Sequence, residues 1–309
     1  MFELRTLGSR LAGAAAVALA VSFMVFLLLH CVPGDPVDMM LGDYAAAADR
    51  LALRRQLGLD LPLSEQWWRF LRGLVHGDFG VSLVSGQPVM RLLGEHFFYT
   101  AQLALAALLL ALLVGLPLGA LAALHAGRWW DSGASVLAVL GMSLPSFVLG
   151  PLLIVAFAVQ LRWFPIGGAE QAAGLVLPAV TLASGLAAVL TRMTRAAMLD
   201  VLQLPHVKAA RARGLSEFVV VLGHVCRNAA LPVVTVIGLQ LGALLGGAVV
   251  TETVFNWPGL GQLLVESIQR RDYPVVQGAV LLIALCYIAV NTLVDTLYTR
   301  LDPRIGTST

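Results

Sequence analysis

Residues 99–124 read YTAQLALAALLLALLVGLPLGALAAL, a stretch in which no side chain carries a charge. At 1.5 Å per residue, an α-helix of this length reaches about 39 Å, which is enough to cross the ~30 Å hydrocarbon core of a bilayer. The stretch therefore predicts a membrane-spanning helix.

Five further apolar stretches are long enough to span, which gives six predicted transmembrane helices. Their glycines and prolines would interrupt a soluble helix, but the neighbouring helices of a membrane bundle accommodate such residues. The alternative for the first stretch is a cleavable signal peptide; we prefer an uncleaved anchor, because the apolar run continues nine residues beyond Ala18-Leu19-Ala20. The five stretches are 11–29, 133–160, 175–199, 228–252 and 276–298.

The composition leads to the same class of protein. Of 309 residues, 59% are hydrophobic and 12% are charged, and the mean hydropathy is +0.85. Soluble domains carry roughly 25% charged residues, so this chain lacks the side chains that a water-facing surface needs.

The net charge of +2 gives no sign of nucleic-acid binding. Cys31, Cys226 and Cys286 are too far apart in sequence to indicate a metal site or a disulfide framework, and we expect each to be a small buried side chain.

The distribution of basic residues predicts the orientation. With both termini inside the cell, the short inner segments hold eleven basic residues and the short outer loops hold three. Such an excess is typical of the cytoplasmic side. The inner set is Arg5, Arg10, Arg128, Arg192, Arg195, Lys208, Arg211, Arg213, Arg227, Arg300 and Arg304, and the outer set is Arg162, Arg270 and Arg271.

Two segments between the predicted spans are polar enough to lie outside the membrane. Residues 31–97 carry charges of both signs and predict short helices, one of them capped by Ser64 and ended by Gly77. The second segment, 200–227, lies on the predicted cytoplasmic side. In it we expect a short helix that starts at Pro205, runs to about Arg213 and ends at Gly214.

The residues of this second segment resemble a known motif. The string HVKAARARGL at 206–215, followed by RNAALP at 227–232, resembles the cytoplasmic loop of the permease subunits of ATP-binding-cassette (ABC) importers. The general motif is E-A-A-x-x-x-G with Leu-Pro downstream, and Ala209, Ala210 and Gly214 match it. Lys208 replaces the glutamate, which is a pattern of the dipeptide, oligopeptide and nickel branch. On spacing alone, an ordinary basic loop remains the alternative.

Other strings resemble the same branch, so the likeness covers nearly the whole chain. It implies an all-α type I importer permease fold, similar to the B subunit of dipeptide permeases. The implied parts are an N-terminus with the first helix at 1–30, an extracytoplasmic domain at 31–97, and a five-helix core at 98–309. The strings are PGDP at 33–36, LGLDLP at 57–62, GDFGVS at 77–82, ETVFNWPGLG at 252–261, RDYP at 271–274 and LDPR at 301–304.

The resemblance also implies a division of labour. A binding protein delivers the substrate at the outer face, this chain and a paralogous permease form the pathway, and two cytosolic ATPases drive transport. The helix near 205–214 then carries the movement of one ATPase to the membrane helices. The residues implied in this coupling are Val207, Lys208, Ala209, Ala210, Arg211, Ala212, Gly214 and Leu215.

The chain has no sequence motif for ATP hydrolysis of its own. A P-loop needs G-x-x-x-x-G-K-[ST], but the only lysine, Lys208, is followed by alanine. We therefore expect a transport subunit that is not an enzyme and binds no cofactor, with ATP and Mg used by its partners. The rival from another class is a stand-alone secondary transporter, which predicts inverted repeats and charged residues in mid-membrane. We find neither.

Polar residues within the spans are candidates for the transport pathway. We favour Gln240, together with Thr235 and Asn291, over Gln102, Thr181, Thr251, Glu252 and Asp295. Dipeptide, oligopeptide, glutathione and nickel permeases share these features. We expect a di- or oligopeptide as the substrate, because that branch is the broadest, with nickel or glutathione as the alternative. The expected location is the bacterial inner membrane.

Overall fold

The computed structural model describes residues 2–31, 37, 41 and 46–301, and these residues form helices and turns without a named β-strand. The strings at 33–36 and 302–304, and the side chains of Arg5, Arg10 and Asp295, lie outside the described part. The helices are α1 Phe2–Cys31, α2 Ala47–Gln56, α3 Leu63–Val75, α4 Val89–Leu124, α5 Trp129–Ser143, α6 Ser146–Leu153, α7 Val176–Leu202, α8 Pro205–Ala212, α9 Glu217–Val219, α10 Arg227–Val254, α11 Leu260–Gln269 and α12 Tyr273–Leu301.

Two of these helices continue as π-helix, and one is preceded by a 3₁₀ turn. Ile154–Gln160 extends α6, and Val220–Cys226 joins α9 to α10 without a break. Ala172–Leu175 forms the 3₁₀ turn that leads into α7. The segment from Glu217 to Val254 is therefore one continuous helical rod, which begins directly after the polar segment around α8.

The prediction of an all-helical membrane protein is confirmed. Four helical stretches in the described residues are long and apolar enough to cross a membrane, and a bent pair makes five if it counts as one span. The first predicted span falls in α1, where the described apolar stretch Ala15–Leu29 is shorter than a full span. The sixth span therefore remains a prediction.

The predicted span 133–160 is present as an apolar helix pair, but the chain breaks in its middle. Trp129–Ser143 and Ser146–Gln160 meet at an angle of 102°. Leu144 is extended, with ψ 110°, because a residue that precedes proline avoids the helical region. Pro145 then occupies the N-cap of α6, also extended. The proline that the sequence allowed inside a helix thus separates two helices.

Contacts divide the chain into two compact units. The first consists of Met1–Thr100 and Pro258–Ala289, and the second of Ala101–Trp257 and Val290–Thr309. In the first unit, the start of α4 packs against α11 and α12 through a buried apolar cluster. A Cβ at Gly278 would lie 3.0 Å from both Leu93 Cδ1 and Val89 Cγ1, so the absence of a side chain permits this close approach. The cluster consists of Val89, Leu93, Leu260, Val275 and Ala279.

In the second unit, α7 is the central helix and packs against α5, α6 and α10. Glycines on α4 bring its backbone against α7: a Cβ would lie 2.8 Å from the Ala187 carbonyl oxygen at Gly115, and 2.6 Å from that of Thr191 at Gly119. Close approach through small residues is the usual way in which membrane helices associate. The unit is thus built around α7, which leads directly to α8.

Three smaller expectations have definite outcomes. Gly238 on α10 does serve close packing, since a Cβ there would lie 2.3 Å from Val294 Cγ1. Ser64 does not cap α3, because the helix begins at Leu63, with Pro62 at the N-cap. Cys31 is exposed and not buried, whereas Cys226 and Cys286 are partly buried. The surroundings of Gly246 and Gly247, on the same helix, lie outside the described part of the chain.

Candidate coupling site

The helix predicted after the fourth span is present as α8. Its start is set by Leu204, which is extended, and by Pro205 in the first turn, where the missing N–H costs no hydrogen bond. Its end is set by Gly214, which has φ +79° and donates its N–H to the Arg211 carbonyl at 2.9 Å. The helix ends at Ala212, one residue before the predicted end.

One stripe of α8 is buried against its own chain. Val207 is fully buried and Ala210 is 5% exposed. They lie three residues apart, on the face that packs against the end of α7 and the π-helical segment Val220–Cys226. Gly214, where the helix is predicted to end, is exposed because it forms the turn. The inner stripe thus attaches α8 to the two membrane helices that flank it.

The other faces of α8 and the turn after it point outward. They combine basic residues with small and large apolar ones, and Phe218 is 73% exposed. Contiguous exposed apolar side chains beside charged ones are typical of a protein or membrane contact. The exposed basic and apolar residues include Leu204, His206, Lys208, Ala209, Arg211, Ala212, Arg213, Leu215, Phe218 and Val219.

An ion pair across the turn holds its shape. Arg211 Nε donates to Glu217 Oε1 at 2.8 Å, and Arg211 Nη2 donates to Glu217 Oε2 at 3.1 Å. Both side chains are solvent-exposed, so the pair adds little stability, but two parallel hydrogen bonds fix an orientation. Arg211, one of the residues implied in coupling, thus has a partner within its own chain.

The residues predicted to line a pathway have different surroundings in the structure. The Thr235 hydroxyl donates to the Leu231 carbonyl of its own helix at 2.9 Å, and the Thr181 hydroxyl does the same to Leu177 at 2.8 Å. Gln240 and Asn291 are partly buried, and Gln102 is exposed. Glu252 is fully buried and Thr251 is 1% exposed, so both side chains lie inside the protein.

A cavity of about 380 Å³ lies among α4, α7 and α10 in the second unit. Its lining is almost entirely apolar, and the α10 residues that form it include Val233 and Ile237. Gln240 is three residues beyond Ile237, so it lies on the same face of α10, one turn further along. Sequence reasoning missed the cavity because three helices, distant in sequence, form it.

Two of the short strings meet in the first unit. The Asp272 carboxylate, in RDYP, accepts the Ser82 hydroxyl at 2.5 Å and the N–H groups of Leu83 at 3.1 Å and Val84 at 3.4 Å. Asp272 is 3% exposed. This carboxylate therefore holds the GDFGVS turn against the start of α12, a contact between residues about 190 positions apart that the sequence did not reveal.

The string ETVFNWPGLG forms a buried turn after α10. Phe255 is 1% exposed and packs with Ala158 and Leu177. Its carbonyl accepts the Gly168 N–H at 3.0 Å, and a Cβ at Gly167 would lie only 2.0 Å from that oxygen. This part of the string serves packing within the second unit.

Comparison with known proteins finds two family models. Residues 115–307 match "Binding-protein-dependent transport system inner membrane component", and residues 3–104 match the N-terminal part of such membrane components. The protein named "Glutathione transport system permease protein GsiC" from Escherichia coli strain K12 is 46% identical over 296 residues, which cover 96% of this chain and 97% of the relative. The protein of the same name from Salmonella paratyphi A is also 46% identical, with the same coverage.

Solved structures support the fold. A structure of the MetNI methionine ABC transporter in an inward-facing conformation contains a chain with TM-score 0.58 and 20% identity, matched over 69% of this chain and 97% of that one. A chain of an amino acid ABC transporter, solved with histidines, has TM-score 0.56 and 17% identity over 68% of this chain and 94% of that one. At these identities, the likeness concerns the fold alone.

Proposed function

The chain belongs to the family of binding-protein-dependent transport system inner membrane components, and we propose that it receives the movement of a partner ATPase through α8. It is a permease subunit of an ABC importer. The observation that carries the proposal is the two-sided character of α8, which is buried on Val207 and Ala210 and exposed elsewhere. A helix attached in this way moves as a body with its neighbours, whereas a loose loop would absorb a displacement.

The roles follow from the two sides of the helix. Lys208, Ala209, Ala212 and Leu215 are exposed and form the contact with the ATPase. Val207 and Ala210 pass the movement to the flanking helices. Arg211 keeps the turn in shape through Glu217, and Gly214 allows the sharp exit from the helix.

The partners are inferred from the family. An importer permease works with ATPases and with a binding protein; we propose two cytosolic ATPase subunits and a heterodimer with a paralogous permease. In this arrangement the chain itself binds no cofactor and is not an enzyme, and ATP and Mg are used by the ATPases. Both termini would face the cytoplasm, and the protein would lie in the inner membrane of a bacterium.

The remaining assignments are proposals on the same basis. Residues 31–97 would form the outer domain, where the binding protein arrives, and 98–309 would form the permease core. The pathway would include Gln240, which lies on the cavity face of α10, with Thr235 and Asn291 as weaker candidates.

We propose a small peptide as the substrate, with glutathione as the first compound to test. The support is that the whole-length relatives at 46% identity are named as glutathione permeases. Uptake of labelled glutathione and of a labelled dipeptide into proteoliposomes that contain the whole complex tests this choice. Saturable uptake of neither compound, with active uptake of nickel, would contradict it.

The experiment for coupling is co-purification of the chain with its encoded partners in mild detergent, followed by an ATPase assay. We expect a second permease and two ATPase subunits to co-purify. Ala209→Trp places a large side chain on the exposed face and should reduce the amount of bound ATPase about tenfold or more. Ala52→Trp, also on an exposed helical position but in residues 31–97, is the matched control and should have no effect. Equal ATPase recovery with both variants would contradict the role of α8.

A further inference from the structure

A partly buried ion pair connects α5 to α7 in the second unit. Arg195 Nε donates to Asp131 Oδ1 at 2.5 Å, and Arg195 Nη2 donates to Asp131 Oδ2 at 2.8 Å. The Asp131 side chain is 8% exposed and that of Arg195 is 33% exposed. Asp131 Oδ2 also accepts the Gly127 N–H at 2.9 Å. One carboxylate therefore joins the turn after α4, the first turn of α5 and the helix α7.

Small residues dominate the rest of the α5–α7 contact, apart from an exposed contact of 3.7 Å between Arg192 Nη1 and Met142 Sδ. On α5, Asp131, Ala134, Ala138 and Gly141 follow one another at spacings of three or four residues, and the two alanines are buried. A Cβ at Gly141 would lie 3.1 Å from Ala188 Cβ on α7. Small side chains interdigitate little, so they oppose sliding of one helix along another weakly. The bidentate ion pair, in contrast, is satisfied in a single register.

The position of the pair links α8 to the bend. Arg195 lies seven residues, about two turns, before the end of α7 at Leu202. Only Gln203 and Leu204 separate α7 from α8, and Leu204 is hydrogen-bonded to both sides of this junction. At its other end, α5 leads to the 102° break at Leu144 and Pro145. A displacement of α8 therefore passes along α7 and reaches α5 at the ion pair.

We propose that Asp131 and Arg195 are positioning residues for transport: they hold α5 in register on α7, so that movement of α8 reaches the bend between α5 and α6. This inference rests on the proposed coupling function of α8. Buried ion pairs contribute little net stability compared with an apolar pair, but they can specify one arrangement among several. The expected consequence of losing the pair is therefore loss of coupling more than loss of folding.

The test measures transport per ATP hydrolysed in proteoliposomes that contain the whole complex and the binding protein. The double variant Asp131→Leu/Arg195→Met replaces the ion pair by apolar side chains that keep the site filled. We expect it to assemble and to hydrolyse ATP, with the ratio of transported substrate to ATP reduced about tenfold. Arg195→Lys keeps the charge without the second hydrogen bond and should give an intermediate ratio. A purely structural role would lower both rates together and leave the ratio unchanged in both variants, which would overturn the proposal.

A cysteine pair tests the register itself. With the three native cysteines replaced by serine, Gly141→Cys and Ala188→Cys place two Cβ atoms 3.1 Å apart, a little closer than the roughly 3.5–4.5 Å of a disulfide, so a small separation of the helices is enough for the bond to form. This disulfide should leave coupling intact in the otherwise unaltered chain and restore it in the apolar double variant. Loss of transport on cross-linking the unaltered pair would show that the register must change, and would overturn the proposal. If the unaltered chain binds no ATPase at all, the proposed function fails instead.

Discussion

The two connections at the ends of the α9–α10 rod have opposite surroundings. Residues 205–219, which lead into the rod and include its first turn, are exposed except for Val207 and Ala210. Residues 254–257, after it, bury Phe255 to 1% and Trp257 to 2% exposure. Both connections contain strings that resemble the same permease branch. The strings look equally typical of the family, yet the segment 205–219 is exposed along nearly its whole length, whereas the second buries both aromatic rings and exposes Asn256 between them.

This difference indicates that a string typical of the family can have either of two causes, packing within the chain or contact with a partner. The buried turn needs its residues because a carbonyl, a glycine and a phenylalanine fit together inside the chain: the Phe255 oxygen accepts the Gly168 N–H. The exposed segment has few internal contacts that demand its composition, so its small and basic residues are best explained by something outside the chain. Substitutions in the buried turn should therefore affect folding, and substitutions in the exposed segment should affect assembly with partner subunits.

The largest expected effect on stability comes from replacing a phenylalanine by alanine, and we compare this substitution at the two ends of the rod. Phe255→Ala removes a buried ring and should lower the free energy of unfolding by about 4 kcal/mol. Phe218→Ala removes a ring that is 73% exposed and should change the free energy of unfolding by less than about 0.5 kcal/mol. Thermal aggregation in detergent, followed by size-exclusion chromatography, compares the two. Similar losses for both variants would mean that the exposed segment is also required for the fold.

A smaller effect on stability distinguishes the buried and the exposed positions within residues 205–219. Val207→Ala removes two methyl groups from a fully buried position under α8 and should cost about 2 kcal/mol. Val219→Ala, at a position that is 47% exposed, is the matched control and should be close to neutral. We expect Val207→Ala also to weaken the dependence of ATPase activity on substrate, because α8 loses its attachment. If the two variants were equally stable, α8 would not be supported by its inner stripe.

The sequence predicted the local features of the site well, because local chemistry determines them. Pro205 and Gly214 define the ends of α8 within one residue of the expectation, since each restricts its own backbone. The apolar stretches identify the membrane helices because length and hydropathy are properties of a single segment. Pro145 shows the limit: the same residue is compatible with a kink inside a span or with two separate helices, and packing decides which forms.

Contacts between distant residues could not be predicted from a single sequence. Asp272 holds Ser82 from about 190 positions away, and Asp131 meets Arg195 from about 64 positions away. Arg195 entered the sequence analysis only as one of eleven basic residues on the inner side. A charge beside an apolar stretch indicates the side of the membrane, but its partner depends on which helices pack together.

The smallest expected effect concerns the ion pair on the surface of the exposed connection. Arg211→Ala breaks two hydrogen bonds to Glu217, but both side chains are largely in water, so the free energy of unfolding should fall by less than about 1 kcal/mol. If the pair shapes the turn for a partner, ATPase binding should nevertheless weaken in Arg211→Ala and, to a similar extent, in Glu217→Gln. A double variant should then be no worse than either single one, since both remove the same contact. If Arg211 contacts the ATPase directly, Glu217→Gln will have little effect on ATPase binding, whereas Arg211→Ala will still weaken it. The two single variants therefore decide whether this arginine acts within the chain or across the interface.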